Sequence, residues 1–214
     1  MKIAPQAWRF VVPAVAAGSA GLWLMGRPQS WALGALLTFL GCGFAAFSAY
    51  FFRDPERPLT ADASKIYSPG DGVVMSVARE GPGDTVTLRI FLSIFDVHIQ
   101  RAPCAGKVVK VQVVGGSFAA AMKDAARSNA RVVMTIEPEG RPPLVVEQIA
   151  GLIARRIECW PKVGTAVASG QRYGIIYFGS QAAVHFPAGS KCTVKPGDRV
   201  AAGLTEVGEW TSRS

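Results

Sequence analysis

Two long apolar stretches at the amino terminus constrain this 214-residue chain more than any other feature. Neither residues 10–26 nor residues 28–52 include a charged side chain, and only Arg27 separates them. A helix needs about 20 apolar residues to cross the hydrocarbon core of a bilayer, so the second stretch is long enough and the first nearly so. The sequence therefore predicts an apolar helical hairpin, or a re-entrant anchor, that holds the chain at a membrane.

The residues that flank these stretches predict how the anchor is oriented. Basic residues lie at the outer edges and aromatic residues near the ends, as they do at membrane interfaces. The basic residues are Lys2, Arg9, Arg53 and Arg57. We therefore expect both ends of the hairpin, and the domain that follows, on the cytoplasmic face of the cell membrane. A pair of buried helices in a soluble protein is the alternative. A secretory signal is disfavoured, because a second apolar stretch follows where a cleavage site would stand.

The amino-acid composition limits the kinds of molecule that this chain is expected to bind. Half of the residues are hydrophobic and 18% are charged, which excludes a disordered chain. The 23 Lys and Arg residues outnumber the 15 Asp and Glu residues, and the net charge of +8 favours anionic partners. Together with the apolar amino terminus, this surplus indicates membrane lipid rather than nucleic acid. The four cysteines form no CxxC pair and have no histidine cluster nearby, so we expect no metal site.

A polar, proline-bounded linker divides the chain into an anchoring segment, residues 1–57, and a second domain, residues 58–214. In the second domain, short runs rich in Val and Ile are punctuated by Gly and Pro, which is typical of a β-sandwich or barrel. The predicted strands are residues 73–78, 86–93, 108–114, 132–136, 144–149, 173–178 and 183–186, and residues 118–127 are the best helix candidate. Two Pro-Gly-Asp turns, at residues 69–71 and 196–198, favour a barrel-sandwich, lipoyl-like domain. The predicted fold class is therefore mainly β (α+β), behind a helical hairpin.

The chain has only two histidines, and one of them lies in a setting that suits catalysis. If the preceding strand continues, His98 shares one face with Asp96, because side chains two apart in a strand point the same way. A carboxylate beside an imidazole orients its tautomer and raises its basicity, as general acid–base catalysis requires. Asp71, between two glycines, is a second isolated carboxylate, and most such residues cap turns. For His185 we expect a surface or core-edge role.

An apolar strand runs directly into Gly179-Ser180, and a second strand follows. Ser180 and His98, with one of the two aspartates, could form the catalytic set of a serine hydrolase, although the junction lacks the GxSxG pattern. Alternatively, the Ser180 hydroxyl could attack the carbonyl of Gly179, since glycine tolerates the strained backbone that brings these groups together. A third interpretation, a non-enzymatic β domain that binds lipid, needs neither reaction.

Several further motifs occur in a fixed order around this junction. They are Tyr50-Phe51-Phe52-Arg53-Asp54-Pro55-Glu56-Arg57, Ser68-Pro69-Gly70-Asp71-Gly72, the segment 91–103, Gly116-Ser117-Phe118, the segment 148–157 and Phe178-Gly179-Ser180. In this order and spacing, the chain closely resembles the short, prokaryotic form of phosphatidylserine decarboxylase over residues 51–203. The order of several motifs is far more specific than any one of them.

The resemblance implies a pyruvoyl enzyme that is made by self-processing. Ser180 would attack Gly179, and β-elimination from the resulting ester would divide the chain into a β chain, residues 1–179, and an α chain, residues 180–214. The residue left at position 180 would become the pyruvoyl group, so no external cofactor would be needed. His98, oriented by Asp71 or Asp96, would act as the base.

The resemblance also implies a substrate and its contacts. The expected substrate is phosphatidylserine, decarboxylated to phosphatidylethanolamine and CO2 in phospholipid biosynthesis, although archaetidylserine has the same headgroup. Arg101, Arg155 or Arg156 would hold its phosphate or carboxylate. The α and β chains would stay together, in one protomer or in a homo-oligomer. The chain departs from the family pattern at Arg101, where longer members have a second histidine, and at Gln181, where short relatives have a basic residue.

Overall fold

The computed structural model of this chain describes residues 2–80, 85–117, 128–151 and 156–211. The predicted helix at residues 118–127 lies outside the described residues. Contacts divide the chain into two compact units, Met1–Glu56 and Arg57–Ser214. The first unit is mostly helical, and the second is built from β-strands.

The amino-terminal unit is a helical hairpin, as the two apolar stretches predict. Helix α1 (Trp8–Met25) packs antiparallel to helix α2 (Trp31–Phe51). Strand β1 (Lys2–Ile3) before the first helix pairs with strand β2 (Arg53–Asp54) after the second. Both helices are long and apolar enough, by length and composition, to cross a membrane.

Glycines bring these two helices into direct backbone contact. A Cβ atom added at Gly41 would lie 2.6 Å from the backbone nitrogen of Gly18, and one added at Gly21 would lie 2.6 Å from that of Thr38. Large apolar side chains cover the outside of the hairpin instead, among them Leu22 and Phe39. Small residues between helices, with large ones outside, are typical of helix packing within a membrane.

The second unit contains one large antiparallel sheet and two small ones. Its strands are β3 (Lys65–Tyr67), β4 (Gly72–Arg79), β5 (Val86–Leu92), β6 (Ile99–Arg101), β7 (Gly106–Val114), β8 (Arg131–Glu137), β9 (Leu144–Ile149), β10 (Ile157–Cys159), β11 (Ala166–Val167), β12 (Arg172–Ile176), β13 (Ser180–Phe186), β14 (Ser190–Cys192), β15 (Arg199–Val200) and β16 (Glu206–Trp210). Within the described residues, the large sheet has the order β11-β7-β8-β9-β13-β5-β4-β15, and it curls into a half-barrel. The small sheets are β10-β12-β6 and β14-β16-β3.

The core of this unit lies on one face of the large sheet. Alternate residues of neighbouring strands point into it, such as Ile90 of β5 and Ala182 and Val184 of β13. Tyr173 of β12 belongs to the same buried cluster, so the small sheet β10-β12-β6 packs against this face. The predicted fold class, a mainly β domain preceded by an apolar helical hairpin, is confirmed.

The strands expected from the sequence are present, with two informative differences in their bounds. The strand predicted at residues 173–178 ends at Ile176, because Phe178 and Gly179 leave the extended conformation. The strand predicted at residues 183–186 begins three residues earlier, at Ser180. The structure therefore places the Gly179-Ser180 junction at the point where a turn enters a central strand.

The glycine contacts in the hairpin predict a difference between two neighbouring substitutions. Gly41→Ala should lower the free energy of unfolding of the hairpin by about 1–3 kcal/mol, because the new methyl group overpacks the backbone of Gly18. Gly43→Ala is the matched control: no atom lies within 4 Å of its added Cβ, and alanine favours helix by up to about 1 kcal/mol. Thermal unfolding of the full chain in lipid nanodiscs, followed by the helical circular dichroism signal, measures both. Equal melting temperatures for the two variants would contradict the packing.

Candidate active site

Ser180 is the first residue of β13, a strand held on both sides within the large sheet. It pairs with Leu92 of β5, and the next residue, Gln181, pairs with Ile149 of β9. Ser180 points toward the same face as Ala182, so its side chain enters the core and is fully buried. Its hydroxyl oxygen has no hydrogen-bond partner among the described residues. A buried hydroxyl without a partner is destabilising, which marks this serine as a candidate nucleophile.

The two residues before Ser180 both have a positive φ, and the backbone of one of them is strained. Phe178 has a φ of 56° and Gly179 a φ of 82°, both in the left-handed region. Glycine adopts this region readily, but a bulky aromatic residue does so at a cost of the order of 1–3 kcal/mol. Phe178 is the only non-glycine residue with a positive φ in the described part of the chain. Backbone strain of this kind concentrates at functional sites, and here it lies directly before the buried serine.

His98 faces this strained turn. Its Nδ1 atom lies 3.0 Å from the backbone carbonyl oxygen of Asp96, so Nδ1 carries the proton and donates it to that oxygen. In the neutral ring Nε2 is then the acceptor, and the amide of Gly179 donates to it at 3.4 Å. The Nε2 atom of this fully buried imidazole therefore contacts Gly179, the residue that precedes Ser180 in the chain.

Strand β5 ends at Leu92, so the expectation that Asp96 and His98 share one strand face is wrong. The segment turns instead: the amide of Asp96 donates to the carbonyl of Ser93, and its carboxylate accepts from the amide of Ser93 at 2.9 Å. Arg199 also donates to the Asp96 carboxylate, at 3.3 Å. Asp96 thus folds the turn that presents His98, and it orients the ring through its backbone.

Asp71 joins two other parts of the second unit. Its carboxylate forms a bidentate ion pair with Arg57, at 2.6 and 2.7 Å, and accepts from the amide of Ala202 at 2.8 Å. Arg57 in turn donates to the carbonyl of Ala202 at 2.7 Å. These contacts tie the Pro-Gly-Asp-Gly turn to the start of the domain and to the chain after β15. Asp71 therefore holds these three parts of the domain in place.

The three arginines expected to bind substrate differ in their settings. The Arg101 guanidinium is buried and donates to the carbonyl of Gly170 at 2.9 Å. Arg156 is half-exposed, pairs with Glu158 at 2.9 Å and lies over the ring of Tyr177, the residue before Phe178. Arg155 lies outside the described residues. Of the two described arginines, Arg156 is the one near the Gly179-Ser180 junction and open to solvent.

The other histidine lies on the opposite face of β13 from Ser180. Nε2 of His185 is 3.2 Å from the carboxylate of Glu147, and its Nδ1 is 3.0 Å from the hydroxyl of Thr87. Burial raises the pKa of Glu147, but His185 and Arg131 outweigh that effect and hold the pKa of this carboxyl below its usual value. The core-edge role expected for His185 fits this network, and no group of three metal-ligating side chains occurs in the described ranges.

Two buried glutamines on the inner face were missed by sequence reasoning. Gln100 of β6 is fully buried, and Gln148 of β9 is buried beside Gly174 and donates to the carbonyl of Glu158 at 3.3 Å. The only sequence signal for Gln100 is its position two residues after His98, which places both side chains on one side of the chain. The inner face of the sheet around Ser180 is therefore polar as well as apolar.

The structure thus brings together a buried serine, a glycine with a positive φ before it, and the imidazole nitrogen of a histidine that contacts this glycine. Comparison with known proteins gives the family. The sequence model of phosphatidylserine decarboxylase matches residues 44–208, and the chain belongs to this family.

Relatives match the chain over most of its length. A phosphatidylserine decarboxylase proenzyme of Symbiobacterium thermophilum is 44% identical and covers 96% of this chain and 94% of its own. A Desulfotalea psychrophila proenzyme of the same name is 37% identical over 81% of this chain and 84% of its own. A Methanopyrus kandleri protein, provisionally named as an archaetidylserine decarboxylase proenzyme, is 37% identical over 96% of this chain and 97% of its own.

The ion pair of Asp71 predicts the effect of its removal. Asp71→Asn should lower the free energy of unfolding by about 1–3 kcal/mol, because the largely buried guanidinium of Arg57 loses its counter-charge. Arg57→Gln should cost a similar amount, and the double variant should cost less than the sum. Melting temperatures of the four proteins test this. Unchanged stability of Asp71→Asn, with self-cleavage blocked, would instead place Asp71 in the chemical step.

Proposed function

We propose that this chain is a phosphatidylserine decarboxylase, made as a proenzyme that cleaves itself between Gly179 and Ser180. The observation that carries the proposal is the buried, unpartnered hydroxyl of Ser180, directly after Gly179, whose amide donates to His98. Family membership and the names of the relatives support it. The same headgroup makes archaetidylserine the second candidate substrate, which the Methanopyrus kandleri relative favours.

In the proposed cleavage, residues of this chain supply the nucleophile and the base, and water enters at the last step. His98 takes the proton of the Ser180 hydroxyl, whose oxygen attacks the carbonyl carbon of Gly179. The bond from that carbon to the Ser180 nitrogen then breaks, His98 returns the proton to this nitrogen, and an ester remains. Removal of the α-proton of Ser180 then expels the carboxylate of Gly179 and leaves dehydroalanine at position 180. Water converts that residue to a pyruvoyl group and releases ammonia. Relief of the strained backbone at Phe178 would favour the first step.

The position of Ser180 suits a group that must stay fixed after cleavage. The segment 180–214 includes β13, β14, β15 and β16, and β13 pairs with β5 and β9 while β15 pairs with β4. Hydrogen bonds between strands therefore hold the two chains together, and position 180 remains inside the core. A pyruvoyl group there supplies an electron sink for loss of CO2 from a bound amine. His98 is the group placed to move a proton at that point.

The surroundings of the junction support action at a membrane surface. Ile94 and Phe95 form the tip of the turn before His98, and Phe95 is 63% exposed. The exposed Arg199 binds the same turn through Asp96. An apolar tip next to a cation suits an anionic lipid surface, and Arg156 near the junction suits an anionic headgroup. The apolar helical hairpin supports anchoring of the chain, with the cytoplasmic face as the proposed side.

The proposed roles predict the self-cleavage of a Ser180 variant and of a His98 variant. Ser180→Ala should remain one uncleaved chain, and His98→Ala should cleave at least 100-fold more slowly, since the hydroxyl loses its base. His185→Ala is the matched control, because that histidine lies on the opposite face of β13, and it should cleave normally. Gel electrophoresis of freshly made protein over time measures the rates. Maturation of His98→Ala at the rate of the unmodified chain would remove His98 from processing.

The exposed turn predicts a defect that depends on the form of the substrate. Phe95→Ser should raise the KM for phosphatidylserine in vesicles about tenfold, because the apolar contact with the bilayer is lost. Activity on a short-chain, dispersed phosphatidylserine should not change. Val113→Ser is the control, since Val113 is 79% exposed on β7. Equal effects on both forms of substrate, or an equal effect of Val113→Ser, would contradict the docking of this turn.

A further inference from the structure

Gln100 has a side chain whose setting is unusual for a buried amide. It is fully buried on β6, and neither its Nε2 nor its Oε1 has a hydrogen-bond partner among the described residues. Burying an amide without a partner is destabilising. A leucine of similar size would fill this space without that cost. The structure therefore keeps a polar group where folding alone favours an apolar one.

The amide of Gln100 lies close to the site of the reaction. A Cβ atom added at Gly70 would be 3.2 Å from its Nε2, 3.3 Å from its Oε1 and 3.4 Å from the Cβ of Ala182. Ala182 and Ser180 point in the same direction from β13. His98, two residues before Gln100, meets the chain at Gly179. In the chain, Ser180 thus lies between Gly179, which contacts His98, and Ala182, which lies near the Gln100 amide.

Gly70 packs closely against this amide. Any side chain at position 70 would approach the Gln100 amide and Ala182 at once, within 3.2–3.4 Å. The Gln100 amide, Gly70 and Ala182 therefore meet at one place on the inner side of β13, and the donor and acceptor of the amide are not used by the described residues. In a serine headgroup, the carboxylate is attached to the carbon that bears the amine, and the phosphate follows two atoms further along. Positions 180 and 182 are about 7 Å apart along the strand, so a headgroup whose amine lies at position 180 brings one of these oxygens near the Gln100 amide if it extends along β13.

We propose that Gln100 is a substrate-positioning residue whose Nε2–H donates to an anionic oxygen of the headgroup, either the carboxylate or the phosphate. The inference rests on the proposed function, because it assumes a serine headgroup at position 180. Two nearby side chains then have different roles: His98 moves protons, and Gln100 of β6 holds the headgroup. In the uncleaved chain, Gln100 has no part in the attack on Gly179.

Gln100→Leu tests the inference with three readouts. Self-cleavage should proceed at the normal rate, the melting temperature of the lipid-free protein should rise, and KM for phosphatidylserine should rise about tenfold or more with little change in kcat. Gln148→Leu is the matched control: it removes a donor to the Glu158 carbonyl, so its melting temperature should fall. A lower melting temperature or an unchanged KM for Gln100→Leu overturns the inference, and so does loss of self-cleavage.

Inhibition by phosphatidylethanolamine identifies the oxygen that is bound. This product keeps the amine and the phosphate but lacks the carboxylate. If Gln100 binds the carboxylate, the inhibition constant for phosphatidylethanolamine is the same in Gln100→Leu and in the unmodified enzyme; if it binds the phosphate, that constant rises with KM. The unmodified chain distinguishes the two proposals. Failure of that chain to cleave and decarboxylate refutes the proposed function, whereas normal activity with an unchanged KM in Gln100→Leu refutes only the role of Gln100.

Discussion

Pairing of β13 with strands on both sides fixes Ser180, and the rest of the site depends on this constraint. The strand begins at Ser180 itself and is hydrogen-bonded between β5 and β9, so the backbone at this residue is held in place. In the turn before it, Phe178 and Gly179 both lie in the left-handed region, where the bulky Phe178 is strained. The paired strand therefore accounts for the burial of the hydroxyl, and a strained residue lies two positions before it.

The same pairing explains how one chain can be cut and still act as one domain. The segment after Ser180 contributes a central strand of the large sheet as well as the partners of β3 and β4. Its side chains complete the core, among them Val184, Phe186 and Val207. Separation of the pieces would expose this apolar surface to water, which is strongly unfavourable. The fold therefore supports cleavage within a turn without loss of the site.

The sequence predicted the large features because hydrophobic patterning determines them. The length of the apolar stretches predicted the hairpin, and short runs rich in Val and Ile, punctuated by Gly and Pro, predicted the strands. Local side-chain geometry was harder to predict. The orientation of His98 comes from the backbone carbonyl of Asp96, which no residue pattern encodes, and the pairing of Asp71 with Arg57 depends on a contact made only in the folded domain. The Gln100 amide has no hydrogen-bond partner among the described residues, which only a structure reveals.

Self-cleavage is the central claim, and an intact mass spectrum of the purified protein tests it most directly. The account predicts two masses, one for residues 1–179 and one for residues 180–214, with the second lighter than the plain peptide by one ammonia. That deficit identifies the pyruvoyl group, because conversion of serine to pyruvoyl releases its nitrogen. A single full-length mass from folded protein with decarboxylase activity would contradict the account.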